Sequence, residues 1–217
     1  MNDAIMKRAR KDLLGDVLGD EGCDRGSLAA ARAAMIAACR EAWLAGVMTG
    51  FNGNMSLRVG PRAMLITASG VDKGHMGEGD IALADAATGR LLRGPRLSSE
   101  TAMHVAVYRA CPAARCVLHT HPEALMALWL RVGRERMLDL PLFEARFWRP
   151  RMGFAEEIEP GTPALAASVG EAAREHPAVF MPGHGLCVRG ADPGETLGLT
   201  EQMEHLARTQ LLVLGPG

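Results

Sequence analysis

Aromatic side chains are scarce in this chain of 217 residues: five Phe, three Trp and one Tyr, 4% of the total. Its cysteines lack a pairing pattern. Cys23, Cys39, Cys111, Cys116 and Cys187 are odd in number, irregular in spacing and without a CxxC. This argues against a disulfide framework and for reduced thiols in a cytoplasmic protein. Charge bias is absent too, with 24 Lys+Arg against 25 Asp+Glu and a net charge of −1. That balance gives no field to draw nucleic acid and no basic surplus to draw an anionic membrane. No apolar run reaches the roughly 20 residues of a spanning helix. Asp3, Lys7 and Arg8 interrupt any secretory apolar core near the start. The chain shows no internal repeat and no low-complexity linker. The expectations are a cytoplasmic protein with no nucleic-acid and no membrane partner.

What is present is ordinary globular material, 48% hydrophobic and 23% charged. Disorder needs the opposite composition. A domain of this size buries roughly 70% of its unfolded surface, enough for a core without staples. The 13 Met read as core filler.

The periodicity then divides the chain. Residues 1–26 read as a mixed-charge extension, helical or partly disordered, and 27–217 as the domain. Ser27 looks like an N-cap, 28–45 a helix stopped by Gly46, with Met35, Ile36, Cys39, Ala42 and Trp43 on its apolar face. Short strands are predicted at 54–59 and 64–67, and a hairpin at 81–84 and 90–92. A helix over 100–109 precedes a strand at 115–119. Pro122 opens a further helix to about residue 132. Residues 133–162 are poorly periodic and read as a long, functional connection. A helix at 163–175, strands at 178–181 and 186–188, and a closing helix over 193–213 complete an α/β or α+β layered domain.

Four residues carry the chemical argument. His119 and His121 form His-Thr-His at a strand end, where residues i and i+2 share a face roughly 6.5–7 Å apart. His184 lies between Gly183 and Gly185, whose freedom lets a tight turn aim its ring. Glu100 follows Ser98-Ser99 at a helix start. Three imidazoles with one further position suit a catalytic metal site. Each histidine alone also reads as a core imidazole satisfied by hydrogen bonds. Ser98 and Ser99 could hold an anion or simply cap the helix, with Glu100 complementing its dipole. The stretches 50–56 and 67–70 offer glycines and polar groups for a phosphate, or for ordinary turns.

Together these motifs resemble the class II aldolase/adducin family, across about residues 28–213. The matching pieces are Gly53-Asn54-Met55-Ser56-Leu57-Arg58, Ile66-Thr67-Ala68-Ser69-Gly70, Ser98-Ser99-Glu100 with His104, Val117-Leu118-His119-Thr120-His121-Pro122, and His184-Gly185-Leu186. The resemblance implies a single three-layer α/β domain, its central, mostly antiparallel sheet flanked by helices. It implies Zn2+ held by His119, His121, His184 and Glu100. Glu100 would act as acid and base once substrate displaces it. Asn54, Thr67, Ser69, Gly70, Ser98 and Ser99 would surround a sugar phosphate, in a homotetramer with its active site at a subunit interface. The implied chemistry is aldol cleavage of a ketose 1-phosphate through a metal-stabilised enediolate.

The pattern departs from the family in one respect. Family aldolases use tyrosines as proton donors, and this chain has only Tyr108, inside a helix. Glu144, in the long connection, is the substitute, since a carboxylate there resembles the methylthioribulose-1-phosphate dehydratase branch, as does 68–74. Lys73 and His75 are further polar candidates near the phosphate. Arg146, Arg149 and Arg151 are candidates for contact across an interface. The lead expectation is a zinc-dependent aldolase. Its alternatives are the dehydratase, a ribulose-phosphate 4-epimerase and a non-catalytic adducin-like module.

Overall fold

The structure, a computed structural model, describes residues 25–215. The expected extension over 1–26 lies almost wholly outside them. The elements run α1 (Arg25–Leu44), β1 (Asn54–Arg58), β2 (Ala63–Thr67), β3 (Ile81–Asp85), β4 (Leu91–Arg93), α2 (Thr101–Ala110), β5 (Cys116–Thr120) and α3 (Glu123–Arg136). They continue with α4 (Phe143–Trp148), β6 (Met152–Phe154), α5 (Pro163–Glu175), β7 (Ala178–Met181), β8 (Gly185–Gly190) and α6 (Pro193–Leu214).

The eight strands form one sheet in the order β4-β3-β2-β1-β5-β8-β7-β6. Every pairing is antiparallel except β6 with β7. Side chains alternate across it, as the period-two geometry of a strand requires. Met64, Ile66, Val117, Val179 and Cys187 point to one face, where α2 and α5 cover them. Leu65, Cys116 and Leu118 point to the other, under α1, and Phe180, Leu186 and Val188 under α3 and α6. Each such aliphatic side chain, removed from water, contributes about 1.5–3 kcal/mol. The result is the expected three-layer α/β domain.

Local chemistry sets the helix ends. Thr162 caps α5 by accepting from Leu165 N at 3.2 Å, and Asp192 caps α6 by accepting from Glu195 N at 2.9 Å. Pro163 and Pro193 follow at positions where no amide hydrogen is needed. The buried Glu204 on α6 accepts from Ala124 N (3.0 Å) and Leu125 N (2.9 Å). It thereby anchors the start of α3, immediately after His121.

Some features differ from expectation. α1 already includes Arg25, so Ser27 lies within the helix rather than at its cap. Trp43 is 38% exposed and rests on Gly74 rather than joining the buried face. The connection 133–162 contains α4 and β6, of six and three residues, too short to show a period. Gly133, at φ 69°, breaks α3 near its end.

Candidate metal centre

β5 lies between β1 and β8, with His119 opposite Asn54 on one side and Cys187 on the other. His119 follows Val117 by two residues and so faces the α2 side of the sheet. It is fully buried, and its Nδ1 pairs with the Leu186 carbonyl at 3.0 Å. A carbonyl only accepts, so Nδ1 carries a hydrogen, which leaves Nε2 as the ring atom that could offer a lone pair to a cation. That Nε2 lies 3.0 Å from His121 Nε2 and 3.1 Å from Glu100 Oε2.

His184 arrives from the turn between β7 and β8. Gly183 supplies φ 70° there. Gly185 serves differently: a Cβ would press on the Thr120 carbonyl and stand 3.1 Å from the His121 ring and 3.2 Å from the His119 ring. Ring centroids are 4.7 Å apart for His119–His184, 4.8 Å for His119–His121 and 5.2 Å for His121–His184. One ligand atom from each ring lies within 4.8 Å of the others.

Glu100 occupies the N-cap of α2 at φ −101°, ψ 13°, but its carboxylate does not cap. Ser98 does that work: its Oγ accepts from Glu100 N at 3.2 Å and its carbonyl from Thr101 Oγ1 at 2.7 Å. Glu100 Oε1 lies 3.1 Å from His184 Nε2. Burial pushes the Glu100 pKa up, but the facing His119 and His184 rings, in their protonated forms, outweigh it and hold the carboxyl below the usual range. For His121, burial first and its two neighbouring imidazoles second push the pKa down to about 3. It stays neutral, the form that ligates. Glu100 Oε1 and His184 Nδ1 are buried without a hydrogen-bond partner among the described residues. Converging lone pairs, a buried carboxylate and orphaned polar atoms fit a divalent cation.

A second set of buried groups stands behind Glu100. Asn54 Nδ2 donates to Glu100 Oε2 at 2.8 Å, while Asn54 Oδ1 meets His104 Nε2. An amide oxygen only accepts, so Nε2 carries the hydrogen. His104 Nδ1, 2.7 Å from Ser56 Oγ, then accepts from that hydroxyl. Burial, then the nearby His119, pushes the His104 pKa down to about 3, so the ring remains neutral. Tyr108 ends the chain, its hydroxyl 2.9 Å from Ser56 Oγ and 3.2 Å from the Arg115 carbonyl. Only one of that hydroxyl's neighbours can take its single proton.

The cavity over the histidines has a volume of about 360 Å³. Asn54, Ser69, Gly70, Ser98 and Ser99 line it together with Glu100, His121 and His184. Thr67 does not: it is fully buried and its Oγ1 accepts from Met55 N at 3.2 Å. Lys73 also lines the cavity. The side chain of His75 is 73% exposed, pairs with Asp72, and takes no part. Glu144 is exposed in the first turn of α4 and lines no wall of this cavity. Arg149 pairs with Asp139, whereas Arg146 covers Phe143 and Arg151 covers Phe147 and Trp148. Sequence reasoning missed Pro160 and Gly161, which line the cavity from the turn before α5. No motif marks them. A wider groove of about 790 Å³ runs along β6 and α5, but the metal-ligand cluster found among the described residues is not in it.

Residues 33–211 match the family described as Class II Aldolase and Adducin N-terminal domain. The chain belongs to the class II aldolase and adducin family. Among curated relatives, the methylthioribulose-1-phosphate dehydratase of Yersinia enterocolitica is 32% identical over 189 residues, 82% of this chain and 90% of that protein. That of Sodalis glossinidius is 44% identical over 96 residues, 44% of this chain and 48% of its own length. This chain therefore spans about half of the Sodalis relative in that match. Among solved structures, L-fuculose-1-phosphate aldolase from Thermus thermophilus superposes with a TM-score of 0.71 at 29% identity, covering 87% of this chain and 98% of that one. Among the described residues, no helix is long and apolar enough to cross a membrane.

Proposed function

We propose that this protein is a metal-dependent lyase that removes water from a 2-ketose 1-phosphate of the methylthioribulose type, with zinc held by His119, His121, His184 and Glu100. The observation that carries the reading is the fate of the phenol. The single tyrosine is sealed in the core with its hydroxyl engaged by Ser56 and the Arg115 carbonyl, while ligand atoms of His119, His121 and His184 gather within 4.8 Å and Glu100 lies 3.1 Å from two of those rings. A carboxylate-based elimination needs no phenol. The names of the Yersinia and Sodalis relatives support the same reading, ahead of the aldolase expected first from the sequence.

A bound divalent cation would supply Lewis-acid polarisation of the substrate's carbonyl and hydroxyl oxygens. The chain supplies the rest. The Leu186 carbonyl fixes the His119 ring. The hydroxyls of Ser69, Ser98 and Ser99 hold the phosphate. Glu144 takes the proton from the carbon beside the carbonyl. The C–O bond of the next hydroxyl breaks, and that oxygen leaves as water with a proton from Glu100. The carbon skeleton stays whole. Glu100 can carry the proton because substrate separates it from the imidazoles, leaving burial to raise its pKa.

Glu144 lies outside the cavity of its own chain, so it serves the cavity of a neighbouring copy. Exposed Phe143 and Phe147 flank it and are the apolar surface by which copies would meet in a homotetramer. The test is product mass. Incubation with methylthioribulose 1-phosphate and zinc gives a product lighter by one water. Splitting into dihydroxyacetone phosphate and an aldehyde instead supports the aldolase reading, which the Thermus structure favours. Metal content far below one per chain, with substrate unchanged, supports the adducin-like module.

A further inference from the structure

The chain has three lysines, Lys7, Lys11 and Lys73, against 21 arginines. Among the described residues, Lys73 is the only lysine or arginine lining the cavity, and it is 1% exposed. Three hydrogen bonds make it a tie between two loops. Its backbone N donates to the Gly50 carbonyl at 3.0 Å, and its Nζ donates to the carbonyls of Phe51 at 3.3 Å and Val71 at 2.6 Å. Phe51, Asn52 and Gly53 line the cavity from one of these loops, Ser69 and Gly70 from the other.

Among the described residues, no carboxylate lies within ion-pair distance of Lys73 Nζ. The nearest acids in sequence are engaged elsewhere: Asp72 holds His75 and Gly74 N, and Asp80 holds Gly77 N. An ammonium taken out of water costs several kcal/mol. Two carbonyls return part of that and cancel none of the charge. Enclosed by protein, the remaining charge reaches further than it would in bulk water. Burial draws the Lys73 pKa below its usual value; an anion in the cavity would restore it. A tie alone needs no charge, since a glutamine amide also offers two donors.

We propose that Lys73 is the fixed countercharge for the substrate's phosphate and makes the cavity select a phosphate monoester dianion. This rests on the sugar-phosphate reading above. Inorganic phosphate is titrated calorimetrically into metal-loaded wild type, Lys73→Gln and Lys73→Arg. Lys73→Gln loses about tenfold or more in phosphate affinity, and KM for the ketose phosphate rises while kcat changes little. Lys73→Arg keeps most of both. Equal phosphate affinity in wild type and Lys73→Gln overturns the assignment. Should Lys73→Gln not fold, 15N-lysine spectra of the wild type decide. The Lys73 ammonium resonance, identified by its loss in Lys73→Arg, shifts on adding phosphate if the assignment holds and stays put if it fails. Failure to dehydrate any ketose phosphate, with phosphate affinity still dependent on Lys73, removes the dehydratase reading alone. Dehydration with an unchanged KM in Lys73→Gln removes the countercharge alone.

Discussion

Glu100 and Glu144 are held in opposite ways. Glu100 stands 12% exposed at the start of a ten-residue helix, with Asn54, His119 and His184 around it. Glu144 stands exposed on a six-residue helix, between two phenylalanines that face outward. The first is surrounded by side chains of its own chain. The second takes the role proposed for it only if another surface closes over it. The metal end of such a site is therefore a property of the fold, and the reaction it performs is a property of what is brought to it.

The sharpest way to break this contrast is at the metal end. His119→Ala should lower metal affinity about 100-fold or more, since losing even an outer partner of a ligand costs ~10–100-fold. Elemental analysis after dialysis reads it, and full occupancy would show that His119 is no ligand. Glu144→Gln should cut turnover by roughly 10²–10⁴ while metal content and melting temperature hold. Mixing Glu144→Gln with Glu100→Gln should restore activity if copies share sites. Mixtures as dead as their parents would place both carboxylates in one chain's site.

Two glycines sharpen the contrast further. Gly185→Ala drives a Cβ into the Thr120 carbonyl beneath the histidines and should cost about 1–3 kcal/mol together with metal affinity. Gly133→Ala, at φ 69° with nothing within 4 Å, should cost about 1–2 kcal/mol of backbone strain and leave the metal untouched. Denaturant melts with metal assays separate them. The effect of pH follows from His104, whose folded pKa of about 3 lies below its ordinary 6.5. Between those values the unfolded chain binds the extra proton, so this contribution is whole above pH 6.5 and drains away as pH falls towards 3. Melting temperature should drop across that window, less steeply in His104→Gln. An equal slope in both would remove His104 from the account. Smallest in stability is Phe143→Ser with Phe147→Ser, within about 0.5 kcal/mol. Sedimentation should nevertheless show smaller assemblies than the wild type, and an unchanged size would place the contact elsewhere.

Much of this was legible in the sequence, for identifiable reasons. A two-residue period at the end of a strand commits His119 and His121 to one side, and glycines around His184 signal a turn before any coordinate is known. Spacing could not say what Asn54 touches: an amide suits a phosphate or a carboxylate equally, and here it grips Glu100. Thr67 sits in the right segment, but its hydroxyl is consumed within the sheet by Met55 N. α4 and β6 escaped because a helix of six residues and a strand of three carry no measurable period. The link from His104 to Ser56 joins residues 48 apart, which no local pattern encodes.

β5 is hydrogen-bonded along both edges, by β1 and by β8, in the middle of eight strands. Amides so placed are the last to exchange with solvent. The histidine scaffold should thus persist without any ion, unlike a zinc finger that collapses when stripped. Chelation ought to leave an empty but native protein that can be reloaded with one divalent ion after another, allowing their catalytic powers to be ranked on a single preparation.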